Sequence, residues 1–296
     1  MSVPSPTPEN APLVRIGELS RRTGVGVDTL RAWERRYGLL EPRRSPGGFR
    51  LYGTDDEERV RAMKALIDSG VSAAEAARLA ASGQGAAGAG GDGEAAGDHG
   101  PRLTAALERF DETDANAIID DALARFTIGA VASRIFLPVL HEIGTRWERG
   151  EFSVAQEHFA TGILRARMLS VGRNWGAGSG PRVLLACPPG ERHDLGLIAF
   201  GLGLRERGWR ITFLGSDTPI ETIAEAAGDL NPAAVVLAAL TRQRFEAVAN
   251  GIRKLSGDAR VLIGGEGASQ ELAERLGAQA LESDPVRAAA GMPTSR

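Results

Sequence analysis

The stretch Glu191-Arg192-His193-Asp194-Leu195-Gly196 stands between a strand-like run and a helix-like run. The apolar run before it favours a buried parallel strand, and the run after it has apolar residues at helical spacing. His193 is therefore expected at the carboxyl edge of a sheet, where open α/β folds hold ligands. An imidazole there can bind a metal through one nitrogen while a carboxylate, here Glu191 or Asp194, orients the ring through the other. A surface histidine without a ligand is the alternative interpretation.

The carboxy-terminal third of the chain alternates strand-like and helical patterns. The strand-like runs are Arg182–Cys187, Arg210–Leu214, Ala234–Leu240, Arg260–Ile263 and Gln279–Leu281. Such alternation predicts a parallel sheet with helices on both faces. Residues 181–290 are accordingly predicted to form a Rossmann-like domain.

The spacing Glu-x-His-x-x-Gly resembles the signature of cobalamin-binding domains, in which the His is the lower axial ligand of cobalt. The resemblance implies that His193 is the metal ligand. It also implies a cofactor site that includes Glu191, His193, Asp194 and Gly196.

Two further positions bear on this resemblance. Gly264 and Gly265 close a strand-like run and match the glycine pair that lies beside the buried nucleotide tail in that family. The second position departs from the family, because Ala238-Ala239-Leu240 stands where the pattern has Ser-x-Leu. The hydroxyl expected to meet the nucleotide base is absent.

Composition and charge narrow the class of protein. The 296 residues exceed one ordinary domain, and no apolar run approaches the roughly 20 residues that span a bilayer. We therefore expect a cytoplasmic protein without a membrane partner.

Residues 12–66 carry 12 Lys and Arg against 8 Asp and Glu, an excess of +4, although the whole chain has a net charge of −3. The amino-terminal segment is basic and the rest of the chain is acidic. This charge distribution predicts that the chain binds nucleic acid through its amino-terminal segment only. The lone Cys187 is expected to be a core residue.

The basic segment has the pattern of a winged helix-turn-helix. Helical patterns at Val14–Arg22 and Val27–Tyr37 are separated by Gly24-Val25-Gly26, and Leu39–Tyr52 is typical of a hairpin wing. A second helix of this kind enters the major groove of double-stranded DNA, where Arg contacts guanine edges or phosphates. The candidate DNA-binding residues are Thr29, Arg31, Arg35, Arg36, Tyr37, Arg43, Arg44 and Arg50. Arginines that only solvate a helix face are the alternative.

Residues 14–80 resemble the MerR family of transcription regulators, above all in Thr29–Leu40 and the wing. The resemblance implies a DNA-binding domain, residues 12–81, that works as a dimer on an inverted repeat between promoter elements. Residues 82–100 are Gly-, Ala- and acid-rich without apolar periodicity, which predicts a flexible linker.

Residues 101–178 have helical periodicity with turn signals that predict a four-helix bundle. Trp147, followed nine residues later by Glu157-His158, resembles the Trp-x9-Glu-His motif of CarH-type regulators, which are cobalamin-dependent photoreceptors of the MerR family. The resemblance implies that Trp147, Glu157 and His158 form a cap over adenosylcobalamin. A bundle-core Trp and a surface Glu-His pair are the alternatives. We interpret His141, which matches no motif position, as structural.

The predicted fold is a multidomain α and α/β chain with a winged helix-turn-helix, a helical cap and a Rossmann-like cobalamin-binding domain.

The implied function is that of a light-responsive repressor, not an enzyme and without catalytic residues. Adenosylcobalamin would hold it as dimers that pair into a homotetramer, and light would break the cobalt–carbon bond and release the DNA. The alternatives are a cobalamin-independent MerR-type regulator controlled by a partner protein and a corrinoid carrier for methyl transfer. In CarH-type photoreceptors a His follows the cap Trp and takes the upper cobalt position after photolysis, whereas Glu148 stands there in this chain.

Overall fold

The computed structural model describes residues 13–82 and 98–293. These residues form two compact units. The amino-terminal unit contains residues 13–82, 98–99 and 119–130, and the carboxy-terminal unit contains residues 100–118 and 131–293. Within the described ranges no helix is long and apolar enough to cross a membrane.

The amino-terminal unit contains the predicted helix-turn-helix and wing. In chain order its first elements are α1 Ile16–Thr23, α2 Val27–Tyr37, β1 Arg43–Arg44, β2 Arg50–Leu51, α3 Thr54–Asp68 and α4 Ala73–Ala81. Gly24 and Gly38 end the first two helices in the left-handed conformation, with φ of 68° and 63°, which other residues adopt at a cost. Leu19 and Leu30 are fully buried between the helices. The turn predicted from the glycines is confirmed.

The wing is an antiparallel pair in which Arg43 faces Leu51. The buried carboxylate of Asp56 joins the start of α3 to the two ends of the wing. It accepts hydrogen bonds from the backbone N–H groups of Gly53 (3.0 Å) and Glu41 (2.9 Å). A buried carboxylate with such donors is satisfied and fixes the loop that carries them. The wing is thereby fixed relative to α3.

The predicted linker at 82–100 requires a correction at its end. Residues 83–97 lie outside the described residues, but His99 and Gly100 already belong to a helix, α5 His99–Glu108. His99 is buried, and its Nε2 lies 2.8 Å from the carboxylate of Asp121, whose pKa this bond lowers. A buried imidazole with a carboxylate partner is part of a folded core, so the linker prediction is wrong for these two residues.

The predicted bundle segment, residues 101–178, is mainly helical, and its last helix ends at Val171. Its elements after α5 are α6 Glu112–Arg125, α7 Ile128–Val131, a π-helical turn Ala132–Phe136, α8 Leu137–Glu148 and α9 Val154–Val171. The stretch 128–148 is continuous and serves as the third of four helices, with Ile135, Val139 and Ile143 buried along it. Ser153 caps the start of α9, because its hydroxyl accepts a hydrogen bond from the N–H of Gln156 (3.2 Å).

The rest of the carboxy-terminal unit is an α/β domain. Its elements are β3 Arg182–Ala186, α10 Leu195–Glu206, β4 Arg210–Gly215, α11 Ile220–Leu230, β5 Ala234–Ala238, α12 Arg242–Ala247, α13 Ala249–Asp258, β6 Val261–Gly264, α14 Gln270–Leu276, β7 Gln279–Ala280 and α15 Pro285–Gly291. The strands pair in parallel in the order β4-β3-β5-β6-β7. Apolar clusters cover both faces of the sheet. The predicted Rossmann-like sheet is confirmed.

The order of the strands explains where a ligand site forms. Strand β3 pairs with β4 on one side and with β5 on the other, so the chain reverses direction across the sheet at β3. Loops that leave neighbouring strands in opposite directions open a crevice at the carboxyl edge. The stretch 191–196 leaves β3 at this point.

Candidate functional site

The predicted DNA-binding residues lie on α2 and the wing. Most of their side chains are exposed, and only Tyr37 is partly buried. Within residues 13–82 and 98–293 no carboxylate pairs with Arg35, Arg36, Arg43 or Arg44. Arginines without an internal partner are available for phosphates or base edges.

Arg50 differs from the other wing arginines. Its guanidinium lies 3.3 Å from Glu34, which also accepts a hydrogen bond from the hydroxyl of Tyr52 (2.8 Å). Burial, together with this bond, raises the pKa of Tyr52 above its usual range. Arg50 therefore links the wing to α2, and a DNA contact by Arg50 would compete with Glu34.

Phe49 was not among the predicted contacts. Its ring is 54% exposed at the tip of the wing, and the guanidinium carbon of Arg15 lies 4.3 Å from the ring centroid. An exposed aromatic residue at a turn is not distinctive in sequence. The stacking on Arg15 connects residues 34 positions apart, so periodicity does not reveal it.

A cavity of about 910 Å³ lies between the cap helices α8 and α9 and the carboxyl edge of the sheet. Seven of the nine predicted cofactor residues line it: Trp147, Glu157, His158, His193, Gly196, Gly264 and Gly265. Glu191 and Asp194 lie behind His193 and do not line it. The cavity is within the size range of cofactor sites.

His193 faces this cavity with 70% of its side chain exposed. Its Nδ1 lies 2.6 Å from Oε1 of Glu191, and its backbone N–H donates to the same oxygen (2.8 Å). A carboxylate accepts and does not donate, so in the neutral imidazole the proton lies on Nδ1 and Nε2 has the free lone pair. Nε2 is the nitrogen that can bind a metal.

Glu191 is buried and fully hydrogen-bonded. Its second oxygen, Oε2, accepts from the backbone N–H of Leu240 at 2.9 Å, which ties the His193 loop to the end of β5. Burial alone would raise the pKa of Glu191, but the donors on His193 and Leu240 outweigh it and hold the pKa below its usual range. Glu191 is therefore an anion that orients His193.

Asp194 has a different partner. Its buried carboxylate receives three hydrogen bonds from the guanidinium of Arg165 on α9, at 2.7 to 3.1 Å. The hydrogen bond to Asp194 raises the pKa of Arg165. Of the two carboxylates that the sequence left open as orienting groups for His193, the structure assigns the role to Glu191.

The cap residues form the opposite wall. Trp147 at the end of α8 is 46% exposed and lines the cavity, so it is not a bundle-core residue. Glu157 and His158 lie at the start of α9, with Nε2 of His158 3.6 Å from the Glu157 carboxylate. An indole, a carboxylate and an imidazole on one wall provide an apolar plate and hydrogen-bonding groups.

The glycines provide space rather than bonds. A Cβ at Gly196 would meet nothing within 4 Å, which leaves this part of the wall open. Gly265 has φ of 86°, and a Cβ there would lie 2.5 Å from the carbonyl oxygen of Ala239. Only glycine permits the loop after β6 to approach the end of β5 this closely.

His141 corrects a prediction. We interpreted it as structural, but it is exposed on α8 and lines the cavity, as do Gly144 and Glu148 on the same helix face. Spacings of three, four and seven residues place them on one side of the helix. The cavity therefore has imidazoles from His141, His158 and His193, and the first lies on the helix face of Glu148, seven residues away.

The residues present fit a corrinoid. His193 offers an oriented nitrogen to a metal, and glycines leave the adjoining wall free of side chains. His193 offers one nitrogen, so a cobalt ion bound to it would take its remaining ligands from a macrocycle such as a corrin.

Comparisons with known proteins agree with both units. Residues 14–82 match the family described as MerR HTH family regulatory protein, and residues 101–171 and 181–289 match two families described as B12 binding domain. The HTH-type transcriptional repressor CarH of Myxococcus xanthus is 34% identical in an alignment 290 positions long that covers 91% of this chain and 95% of that protein. This chain belongs to the CarH and CarA repressor family. The repressor CarA of the same organism is 34% identical in an alignment 289 positions long that covers 91% of this chain and 93% of CarA.

A solved structure is similar to about two thirds of this chain. The monomethylamine corrinoid protein of Methanosarcina barkeri has a TM-score of 0.54 and 18% sequence identity, covering 65% of this chain and 96% of that one. This likeness shows a shared fold. Membership of the CarH and CarA family and the matched domains give this chain a MerR-type DNA-binding domain and cobalamin-binding domains.

Proposed function

We propose that this protein is a light-responsive transcriptional repressor that acts in the cytoplasm with adenosylcobalamin as its chromophore. In the proposal residues 12–81 bind operator DNA, while residues 101–178 and 181–290 enclose the corrinoid. In the dark the loaded protein assembles from dimers into a homotetramer and holds the operator. Light disassembles it and releases the DNA.

One observation carries the proposal. The cavity has an oriented imidazole on the wall of the sheet and Trp147, Glu157 and His158 on the wall of the cap. A corrinoid bound through Nε2 of His193 would present its opposite face to these three side chains. That arrangement suits a bulky, partly polar upper group such as adenosyl.

The chain's own residues have distinct tasks in this proposal. When bound, adenosylcobalamin supplies a cobalt–carbon bond that light breaks. Glu191 holds Nδ1 of His193 by a hydrogen bond, which leaves Nε2 as the ring nitrogen directed into the cavity. Trp147 excludes water above the corrinoid, and Glu157 and His158 are available to hydrogen-bond the polar part of the upper group.

Assembly explains the affinity for DNA. Each DNA-binding domain contributes arginines that are without ion-pair partners in the described part of the chain. Contacts of such arginines with DNA phosphates are sequence-independent and salt-sensitive. Linking several heads in one oligomer makes the later contacts intramolecular, which raises the overall affinity without new contacts. Disassembly removes that gain.

Purified protein loaded with adenosylcobalamin in the dark tests the proposal. Gel filtration and operator gel shifts are measured before and after illumination, with a sample kept in the dark as the control. We expect a larger species that binds DNA in the dark, and a smaller one with weaker binding after light. An oligomer and a DNA affinity that are both indifferent to light would contradict the proposal.

A second candidate is a regulator of the same family that works without cobalamin and responds to a partner protein. Ala238 favours it, since this residue lines the cavity without the expected hydroxyl. The hydrogen bond from the N–H of Leu240 to Glu191 weighs against this second candidate. It holds the carboxylate that orients His193 toward a metal. Visible absorbance of the protein after incubation with adenosylcobalamin and desalting distinguishes the two, as the second candidate predicts no retained corrinoid.

A further inference from the structure

Arg165 and Asp194 connect the cap to the loop of the axial histidine. On α9, Glu157, Thr161 and Arg165 follow at intervals of four residues and share one helix face. The first two line the cavity, and the third, one turn further on, reaches the carboxylate next to His193. The cavity-facing side of α9 is thus attached directly to the His193 loop.

The attachment is geometrically specific. Nε of Arg165 lies 3.0 and 3.1 Å from the two oxygens of Asp194, and Nη2 lies 2.7 Å from the second. A planar guanidinium that forks onto a carboxylate fixes both distance and orientation, which an ammonium group does not. The Asp194 side chain is only 3% exposed, so loss of Arg165 would leave a buried carboxylate without this partner.

The side chain of Asp194 does not cap the helix that follows it. It is the N-cap residue of α10, where an Asp side chain usually accepts a hydrogen bond from an N–H of the first turn. No such bond is present, and the carboxylate turns to α9 instead. A residue that gives up its usual local hydrogen bond for a long-range one indicates that the long-range contact is needed. For Asp194 that contact is the one with Arg165 on α9.

We infer that the Arg165–Asp194 pair sets the height of the cap above His193 and thereby selects corrinoids with a bulky upper group. Arg165 is a positioning residue, since it lines no part of the cavity. Glu157 lies eight residues away, about 12 Å along the helix axis. A tilt of about 10° at Arg165 would move Glu157 by about 2 Å, enough to break a hydrogen bond. The inference rests on the proposed function, which places the upper group beneath Glu157 and His158.

The test compares two corrinoids in the dark with the full chain. Dissociation constants for adenosylcobalamin and for hydroxocobalamin, which has a small upper ligand, are measured for wild type, Arg165→Met, Asp194→Asn and the double variant. We expect each single change to weaken adenosylcobalamin binding about tenfold and hydroxocobalamin binding by less than about twofold. The double variant should be no weaker than either single variant, because all three lack the same pair.

Controls separate positioning from simple loss of structure. Arg165→Lys keeps the charge without the fork and should lose most of the same selectivity, even if Arg165→Met folds poorly. Arg275→Met removes an exposed arginine near Glu246 and Glu271 and should leave both affinities unchanged. Equal weakening for the two corrinoids, or no change in either, would overturn the inference.

A readout without corrinoid keeps this inference distinct from the proposed function. Amide hydrogen exchange of residues 154–161 should be faster in Arg165→Met than in wild type, since the first half of α9 loses its anchor. Unchanged exchange would count against the inference. A wild-type protein that prefers adenosylcobalamin but ignores light would overturn the photoreceptor proposal and leave the role of Arg165 intact.

Discussion

His193 is the residue on which the cofactor site depends most directly. Support of a ligand by neighbouring groups is worth 10–100-fold in metal affinity, so loss of the ligand itself in His193→Ala should weaken corrinoid binding by at least about 100-fold. Stability should change by less than about 1 kcal/mol, because the side chain is 70% exposed. Visible spectra and thermal melts measure both effects.

His141→Ala is the matched control for this prediction. The residue lines the same cavity, but no carboxylate among the described residues orients it. The spectrum of the dark, loaded protein should be unchanged by this substitution. A wild-type spectrum from His193→Ala would refute its assignment as the ligand.

Glu191 leads to a prediction about pH. The donors on His193 and Leu240 hold its pKa below the usual range against the opposing effect of burial. A lowered folded pKa means that the stabilisation is fully present above the unfolded value, about 4.3, and is lost as the pH falls through the folded value. Glu191→Gln should therefore be less stable than wild type by about 2 kcal/mol at pH 7.

Thermal melts of the two proteins at pH 7 and pH 3 measure this difference. The stability difference should shrink at pH 3, which lies below the unfolded pKa of about 4.3, because the unfolded state of wild type takes up the proton first. A difference of the same size at both values would show that the charge of Glu191 is not what stabilises the loop.

At the scale of elements, α2 and the wing should account for the DNA affinity. Changing Arg35, Arg36, Arg43 or Arg44 to Ala removes an exposed cation that has no ion-pair partner in the described ranges. Each lost phosphate contact should reduce the steepness of log K against log salt by about 1, without an effect on corrinoid uptake. Gel-shift titrations at several salt concentrations provide the slopes.

Arg78→Ala is the control for the DNA prediction. Its guanidinium is held by Glu75 on α4, with the nearest atoms 2.6 Å apart, so it is not free to contact phosphate. Its salt slope should match that of wild type. Unchanged DNA binding by all four test variants would remove α2 and the wing as the interface.

At the scale of the whole molecule, Glu148 should decide how firmly the illuminated protein retains its corrinoid. Glu148 lines the cavity at the position where CarH-type photoreceptors have a His. A carboxylate is a poorer partner than imidazole for cobalt that already has a nitrogen ligand. We expect the illuminated, dissociated protein to exchange its corrinoid readily, and Glu148→His to slow that exchange about tenfold or more.

Visible spectra of the illuminated proteins, with and without added imidazole, test this prediction alongside gel filtration. Wild type should acquire a bis-imidazole spectrum only when imidazole is added. The same spectrum without added imidazole would contradict the prediction. His141→Ala and His158→Ala would then identify which cavity histidine supplies the second nitrogen.

The sequence by itself determined features that depend on local chemistry. Strand runs, helical periodicity and the turn at Gly24–Gly26 follow from which residues are apolar or lack a Cβ, and these features set the fold class and the order of the domains. Glu191-x-His193 was recognisable because the carboxylate and the imidazole are two positions apart. Trp147 and Glu157-His158 were recognisable because helical spacing and a motif coincide.

The tertiary structure decided which distant groups meet. Arg165 and Asp194 are 29 positions apart, and Glu191 and Leu240 are 49 apart. His99 was mistaken for linker because its partner, Asp121, lies on another helix. His141 was misread because the cavity exists only once α8 packs against the sheet. Periodicity encodes which face of an element is buried, whereas the partner that this face receives depends on how the elements pack.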